Sequence, residues 1–267
     1  MVKDLRYAVW LFDLDGTLYF GEQAAPGAQQ ILTAIRSSGG HAMFITNNSR
    51  HSSQEISKKL EIMGIEAPAS DIVTATEATG KYLKEQYGEM RVAVAGSGEL
   101  HSSLQSLGHA VTSLEDQELE AIVVGLDTAF SYDKLEKIVD AVGRGARLIA
   151  ANSDLSHPGR ERRKVPETGA LAAAVEAASG IKAEYVGKPA PHLFRYALAL
   201  SGYTPEQGVM VGDNYNTDII GGKSAGLATI WVKAENVERD AYREADLIVA
   251  DLPELNEKLR GGDWSEL

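Results

Sequence analysis

Apolar positions in this chain fall into short uninterrupted runs separated by stretches with helical spacing. The first run, Ala8 to Phe12, passes directly into Asp13-Leu14-Asp15-Gly16-Thr17. Five consecutive apolar residues predict a strand buried on both faces, as in a parallel sheet. A helix is predicted after Pro26-Gly27, carrying Ile31, Leu32 and Ile35 and stopped by Gly39-Gly40. Ala42 to Ile45 reads as a second strand, ending at Thr46-Asn47-Asn48-Ser49. Ser52 and Glu55 then have capping-box spacing before Ile56, Leu60 and Met63, which fall at i, i+4 and i+7 of an amphipathic helix.

From about Thr76 the alternation starts again. It predicts a helix to Tyr87, strands at Arg91–Ala95, Ala121–Leu126 and Ala146–Ala151, and a helix over Tyr132–Val142. Asn152 to Thr168 reads as a long charged loop, either a solvated surface or a functional segment. An Ala-rich helix to Ser179 follows. The apolar pattern resumes at Val186-Gly187-Lys188-Pro189, then a helix over Pro191–Leu200 and strands at Gly208–Val211, Thr229–Val232 and Leu247–Ala250. Alternating strands and helices predict an α/β fold, a doubly wound Rossmann-like parallel sheet. Gly96-Ser97-Gly98 lacks the third glycine of a dinucleotide loop, His101 standing there, and reads as a plain strand-to-helix turn.

Composition narrows the chemistry. With 44% hydrophobic and 24% charged residues over 267 positions, one large or two ordinary domains with a substantial core are expected. A formal net charge of -12 argues against a nucleic-acid or anionic-membrane partner. The absence of cysteine excludes disulfides, thiolate catalysis and cysteine-bound zinc. Neither a secretory signal nor an apolar run of the ~20 residues needed to span a bilayer is seen, so a cytoplasmic protein is expected.

Polar residues end four of the apolar segments in a fixed order: Asp13 with Asp15, Thr46, Lys188, and Asp213 with Asp218. Each alone fits ordinary turn or cap chemistry. Together, at the carboxyl ends of parallel strands, they would surround one crevice. Carboxylates brought together there repel by about 4 kcal/mol per pair at ~4 Å and an effective dielectric near 20, so a cation must sit among them. An all-oxygen ligand set favours a hard ion, and few carboxylates favour Mg²⁺ over Ca²⁺.

In this order and spacing the chain resembles the haloacid dehalogenase superfamily of phosphohydrolases. The resemblance implies that Asp13 is the nucleophile and Asp15 the general acid and base. It also implies that Thr46, Asn47 and Lys188 bind the phosphoryl group. Asp13, the main-chain carbonyl of Asp15 and Asp213 would hold Mg²⁺, with Asp218 orienting a water or Lys188 behind them. Only ten residues separate Asp15 from Pro26, whereas Thr46 and Lys188 stand 142 apart. A single crossover needs ~30, so about a hundred residues are inserted there. That layout resembles the class IIA branch, the NagD-like or p-nitrophenyl phosphatases, with an inserted α/β cap domain of the C2 type. The expected core is residues 1–76 and 185–267 and the cap 77–184.

The resemblance further implies a small phosphorylated metabolite as substrate, sugar or glycerol phosphates first and nucleoside monophosphates next, with p-nitrophenyl phosphate as an artificial substrate. A homodimer through the cap is expected on the same ground. The cap loop reads Asn152-Ser153-Asp154 where Asn-Pro-Asp is the branch pattern, and a basic run follows; Asp154, His157 and one of Arg160 or Arg162 are expected to face the leaving group. Phosphotransfer to a sugar, or a catalytically idle phosphometabolite-binding regulator, could use the same fold. A response-regulator receiver would lack Asp15 and the insert.

Overall fold

The computed structural model describes residues 6–158, 163–233 and 244–261. In chain order it begins with β1 (Val9–Phe12), β2 (Tyr19–Phe20), β3 (Gln23–Ala24), α1 (Ala28–Ser37), β4 (His41–Thr46), α2 (Ser53–Ile62) and β5 (Ile72–Thr74). Next come α3 (Ala75–Tyr87), β6 (Arg91–Ala95), α4 (Gly98–Ser106), β7 (Ala110–Thr112), β8 (Ala121–Val124), α5 (Tyr132–Gly143) and β9 (Arg147–Ala150). They are followed by β10 (Ser156–Pro158), β11 (Lys164–Pro166), α6 (Thr168–Ser179), β12 (Glu184–Tyr185) and α7 (His192–Ser201). The chain closes with β13 (Gly208–Gly212), α8 (Gly221–Ser224), β14 (Ala228–Val232), β15 (Leu247–Val249) and α9 (Leu252–Gly261). Two compact units result: Met1–Thr46 with Ser53–Val73 and Lys188–Leu267, and Asn47–Ser52 with Thr74–Gly187.

The first unit is built on a six-stranded sheet of order β15-β14-β13-β1-β4-β5. β1 is fully buried, as its apolar run requires, and pairs in parallel with β13 on one side and β4 on the other. From β1 the chain builds the sheet outward in one direction through β4 and β5, and later in the other through β13, β14 and β15. The switch point of this doubly wound sheet is therefore the carboxyl end of β1. Trp10 and Phe12 stack at 6.5 Å, Phe12 meets Phe44, and this aromatic line runs into a core with Ile31, Leu32, Ile56 and Leu255.

The second unit carries its own five-stranded parallel sheet, of order β12-β9-β8-β6-β7. Ala93, Ala95, Ile122 and Val124 pack there with Ile138 and Val142 of α5 and Val175 of α6.

Two expectations change. The charged segment 152–168 is not irregular throughout: β10 and β11 pair as an antiparallel hairpin, Ser156 opposite Pro166 and His157 opposite Val165. Three-residue strands bounded by prolines carry no readable alternation. Nor does Lys188 end a strand of the first sheet. The preceding strand, β12, stops at Tyr185 and pairs with β9 in the other sheet, so Lys188 stands on the connection into α7. Gly187 and Pro189 on either side of it are poor strand formers, and the Lys188–Pro189 peptide is cis. Among the described residues no helix is long and apolar enough to cross a membrane.

Candidate active site

The register of β1 fixes the site. Phe12 lies opposite Val211, and the Asp13 N–H donates to the Val211 carbonyl at 2.9 Å, which sets Asp13 beside the end of β13. Immediately after β13, the carboxylates of Asp213 and Asp218 join it. Asp13, Asp213 and Asp218 each offer an oxygen within 4.8 Å of the other two. Lys188 Nζ donates to Asp13 Oδ1 at 2.5 Å and to Asp218 Oδ1 at 2.7 Å, and the lysine is only 2% exposed.

Local structure holds each carboxylate. Tyr215–Ile220 forms a π-helical turn whose N-cap is Asn214, with Oδ1 accepting from the N–H groups of Asn216 and Thr217. Such wide turns occur often at functional sites. Here it turns Asp218 inward, where Oδ2 accepts from the Asn214 N–H at 3.0 Å and Oδ1 from Thr217 Oγ1 at 3.2 Å. Asp213 Oδ1 accepts from Thr17 Oγ1 at 3.1 Å, and its main-chain carbonyl accepts from Trp231 Nε1 at 2.7 Å. Thr17, Asn214 and Trp231 are contributors that sequence reasoning missed. The position of Thr17, two after Asp15, was a signal for it, whereas Trp231 depends on pairing opposite Gly212 across β13 and β14.

Gly16 makes the turn after β1 with φ +96, its N–H donating to the Tyr19 carbonyl at 2.8 Å. A Cβ there would stand 2.5 Å from Asp213 Oδ2. Gly16→Ala therefore combines a left-handed backbone with a clash against a site carboxylate. The expected result is a destabilisation of roughly 1–3 kcal/mol with weakened metal response, read by thermal denaturation with and without Mg²⁺.

Among the described residues the cluster holds three acids against one lysine. Burial raises the Asp13 carboxyl well above the usual range, and although Lys188 pulls it down, Asp218 and Asp213 push it up again. Burial and then Asp218 raise Asp213 to about 6. Burial works against the Lys188 ammonium, but Asp13 and Asp218 outweigh it and hold its pKa above the ordinary lysine value. The lysine thus stays charged, and the carboxylates remain short of positive charge. At 4.8 Å and an effective dielectric near 20, each surplus carboxylate pair costs about 3–4 kcal/mol. An all-carboxylate, positive-charge-deficient set of this kind fits a hard divalent cation.

The other predicted residues are placed as follows. Asp15 is exposed, in the turn and bridged to Tyr19, and its carboxylate is not in the buried cluster. Tyr19 is buried, with Lys59 Nζ 4.0 Å from its ring centroid. Thr46 is buried at the end of β4, next to β1 in the sheet. Within the second unit, Asn47 Nδ2 donates to Asp154 Oδ2 at 3.0 Å, and His157 Nδ1 lies 2.7 Å from Glu167 Oε1. Arg160 and Arg162 lie outside the described residues.

Comparison with known proteins agrees with this arrangement. Residues 10–110 match the family model described as haloacid dehalogenase-like hydrolase, and residues 185–255 one described as HAD-hydrolase-like. The acid sugar phosphatase of Staphylococcus aureus is 34% identical over 228 residues, 85% of this chain and 87% of that protein. Among solved structures, the 4-nitrophenylphosphatase of Thermotoga maritima is similar with a TM-score of 0.86 and 29% identity, over 95% of this chain and 98% of that one. NagD from the K-12 strain of E. coli is similar with a TM-score of 0.84 and 32% identity, over 94% and 98%.

Proposed function

Because this chain belongs to the haloacid dehalogenase-like hydrolases, as a phosphatase of the class IIA branch, we propose that it is a Mg²⁺-dependent phosphomonoester hydrolase of small sugar phosphates acting through an aspartyl phosphate on Asp13. The observation that carries this reading is the buried Asp13–Lys188–Asp218 ion-pair chain beside Asp213. The sugar-phosphate preference follows the acid sugar phosphatase likeness.

In this reading Asp13 Oδ attacks phosphorus while Asp15 donates a proton to the departing alkoxide oxygen. Asp15, now a carboxylate, then takes a proton from the water that cleaves the acyl phosphate. Two displacements replace one difficult step. The exposure of Asp15 supports its role, since a proton donor to a leaving group must be reachable. Thr46, Asn47 and Lys188 hold the phosphoryl oxygens, and Asp218 keeps Lys188 aimed at Asp13. Asp13, Asp213 and the main-chain carbonyl of Asp15 would hold Mg²⁺, which when bound supplies charge neutralisation for carboxylates and phosphate.

A phosphomonoester panel assayed for phosphate release with and without Mg²⁺ tests the reading. Metal-dependent release with sugar phosphates leading is expected. Nucleoside monophosphates ahead of sugars would move the substrate class, and transfer to an added sugar would make the protein a phosphotransferase.

The metal requirement has a pH signature. Asp213 is raised to about 6 from an ordinary 3.8, so its ionised form weakens the metal-free fold above pH 6, and that cost fades as pH falls from 6 towards 4. Mg²⁺ competes with a proton below pH 6 and relieves repulsion above it. The Mg²⁺-induced rise in Tm of chelator-treated protein is therefore expected to be larger at pH 7.5 than at pH 5. Equal rises at both would remove Asp213 from the metal site.

A further inference from the structure

Asn47 is gripped at two points by the segment that the sequence assigned to leaving-group recognition. Asn152 is 1% exposed; its Nδ2 donates to the Asn47 main-chain carbonyl at 2.6 Å, while its Oδ1 accepts from the Asp154 N–H at 3.0 Å. Asp154 Oδ2 in turn accepts from Asn47 Nδ2 at 3.0 Å. Asn47, Asn152 and Asp154 thus close a hydrogen-bonded ring. Its back is packed solid: a Cβ at Gly187 would stand 2.7 Å from both Asn47 Oδ1 and the Ala151 carbonyl, and 2.8 Å from Asn152 Cβ. Below it, the Gly169 N–H at the start of α6 donates to the Asp154 carbonyl at 2.9 Å, anchoring Asp154 to a helix.

We propose that Asn152 and Asp154 are positioning residues for phosphate binding, fixing the carbonyl and carboxamide of Asn47, rather than contacts to the leaving group. The inference rests on the reading that Asn47 binds phosphoryl oxygens. A carboxamide with one N–H committed to a carboxylate has a single orientation, with its other N–H and its oxygen in fixed directions. A charge-assisted bond of this kind does that more firmly than a neutral one. Since the phosphoryl group is common to every substrate and to the product, loss of the grip must weaken all of them alike. A leaving-group contact would instead discriminate between substrates.

The test compares Asp154→Ala, Asp154→Asn, Asn152→Ala, Asn47→Ala and the double variant Asn47→Ala/Asp154→Ala with wild type. Readouts are kcat and KM for a sugar phosphate and for p-nitrophenyl phosphate, and the affinity of inorganic phosphate as a competitive inhibitor. Asp154→Ala is expected to raise both KM values and the phosphate inhibition constant by one common factor of about tenfold. Asp154→Asn, which keeps an acceptor oxygen, recovers most of that, and the double variant is no worse than Asn47→Ala alone. If Asn152→Ala, buried as it is, fails to fold, the half-buried Asp154 pair still decides.

A changed substrate ranking with unchanged phosphate affinity overturns the proposal and returns Asp154 to leaving-group recognition. Multiplicative losses in the double variant overturn it too. If wild type releases no phosphate, the hydrolase reading falls and this inference with it. If wild type is active and Asp13→Asn is not, an adverse Asp154 result sinks the inference alone.

Discussion

Asp13→Asn is expected to reduce phosphate release from every phosphomonoester by about 10⁴-fold or more, while the protein melts no lower than wild type. The first half follows from the role proposed for Asp13: an amide oxygen does not form the acyl phosphate, and removal of a covalent nucleophile costs ~10⁴–10⁶ in kcat where such groups act as a unit. The second half follows from the electrostatics of the cluster. Burial, with Asp218 and Asp213 beside it, raises the Asp13 carboxyl well above its usual range despite Lys188, so its ionised form is a liability to the metal-free fold. Asparagine fills the same volume, keeps an oxygen for Lys188 Nζ and removes one of three repelling charges, leaving Lys188 paired with Asp218. Function and stability should therefore part company at this position. Residual turnover within tenfold of wild type in the Mg²⁺-supplemented assay would show that Asp13 is not the nucleophile.

Lys188→Met is expected to harm both. Removing the Lys188 ammonium breaks its ion pairs with Asp13 and Asp218 in a buried site, and breaking a buried ion pair from one side costs roughly 3–5 kcal/mol. That corresponds to a fall in Tm on the order of 10 °C for a chain of this size. In the role proposed for Lys188, loss of a preorganised cation at the phosphoryl group should lower kcat/KM by at least ~10²–10³. Lys188→Arg is not expected to rescue either quantity, because a planar fork needs more room than a slot whose lysine is 2% exposed. Differential scanning calorimetry and steady-state kinetics read the two effects. An active, stable Lys188→Met protein would leave the ion-pair chain without a role.

The buried strands and the charged residues that follow them are legible in the sequence because both depend on local chemistry. Val9–Phe12 is uninterruptedly apolar because it is buried on both faces, and Asp13 follows because the carboxyl end of such a strand opens on the switch point. Lys188 was legible as a residue and not as a place. Its side chain reaches Asp13 and Asp218, yet the strand before it hydrogen-bonds in another sheet, a pairing that apolar pattern alone does not encode. Trp231 and Thr17 support Asp213 through contacts 18 and 196 residues apart, and neither residue type advertises that task. The hydrogen bond from Asn47 to Asp154 spans 107 residues, and nothing in the sequence around either residue announces it. What sequence withholds here is pairing between distant segments.

The division of the chain has a consequence for how such proteins can be cut and recombined. Asn47–Ser52 belongs to the second unit although its neighbours on both sides belong to the first. The buried Ser49 hydroxyl lies 2.9 Å from Thr168 Oγ1 and accepts from the Leu126 N–H, and the Asn48 carbonyl accepts from the Thr76 N–H. A fragment excised as residues 74–187 would lose all of these partners at once and leave interior polar groups bare. The inserted domain is thus not a cassette with two ends. Any transplant between relatives, natural or engineered, would have to carry a six-residue passenger from elsewhere in the gene, and that requirement ties the inheritance of the insert to the loop after Thr46.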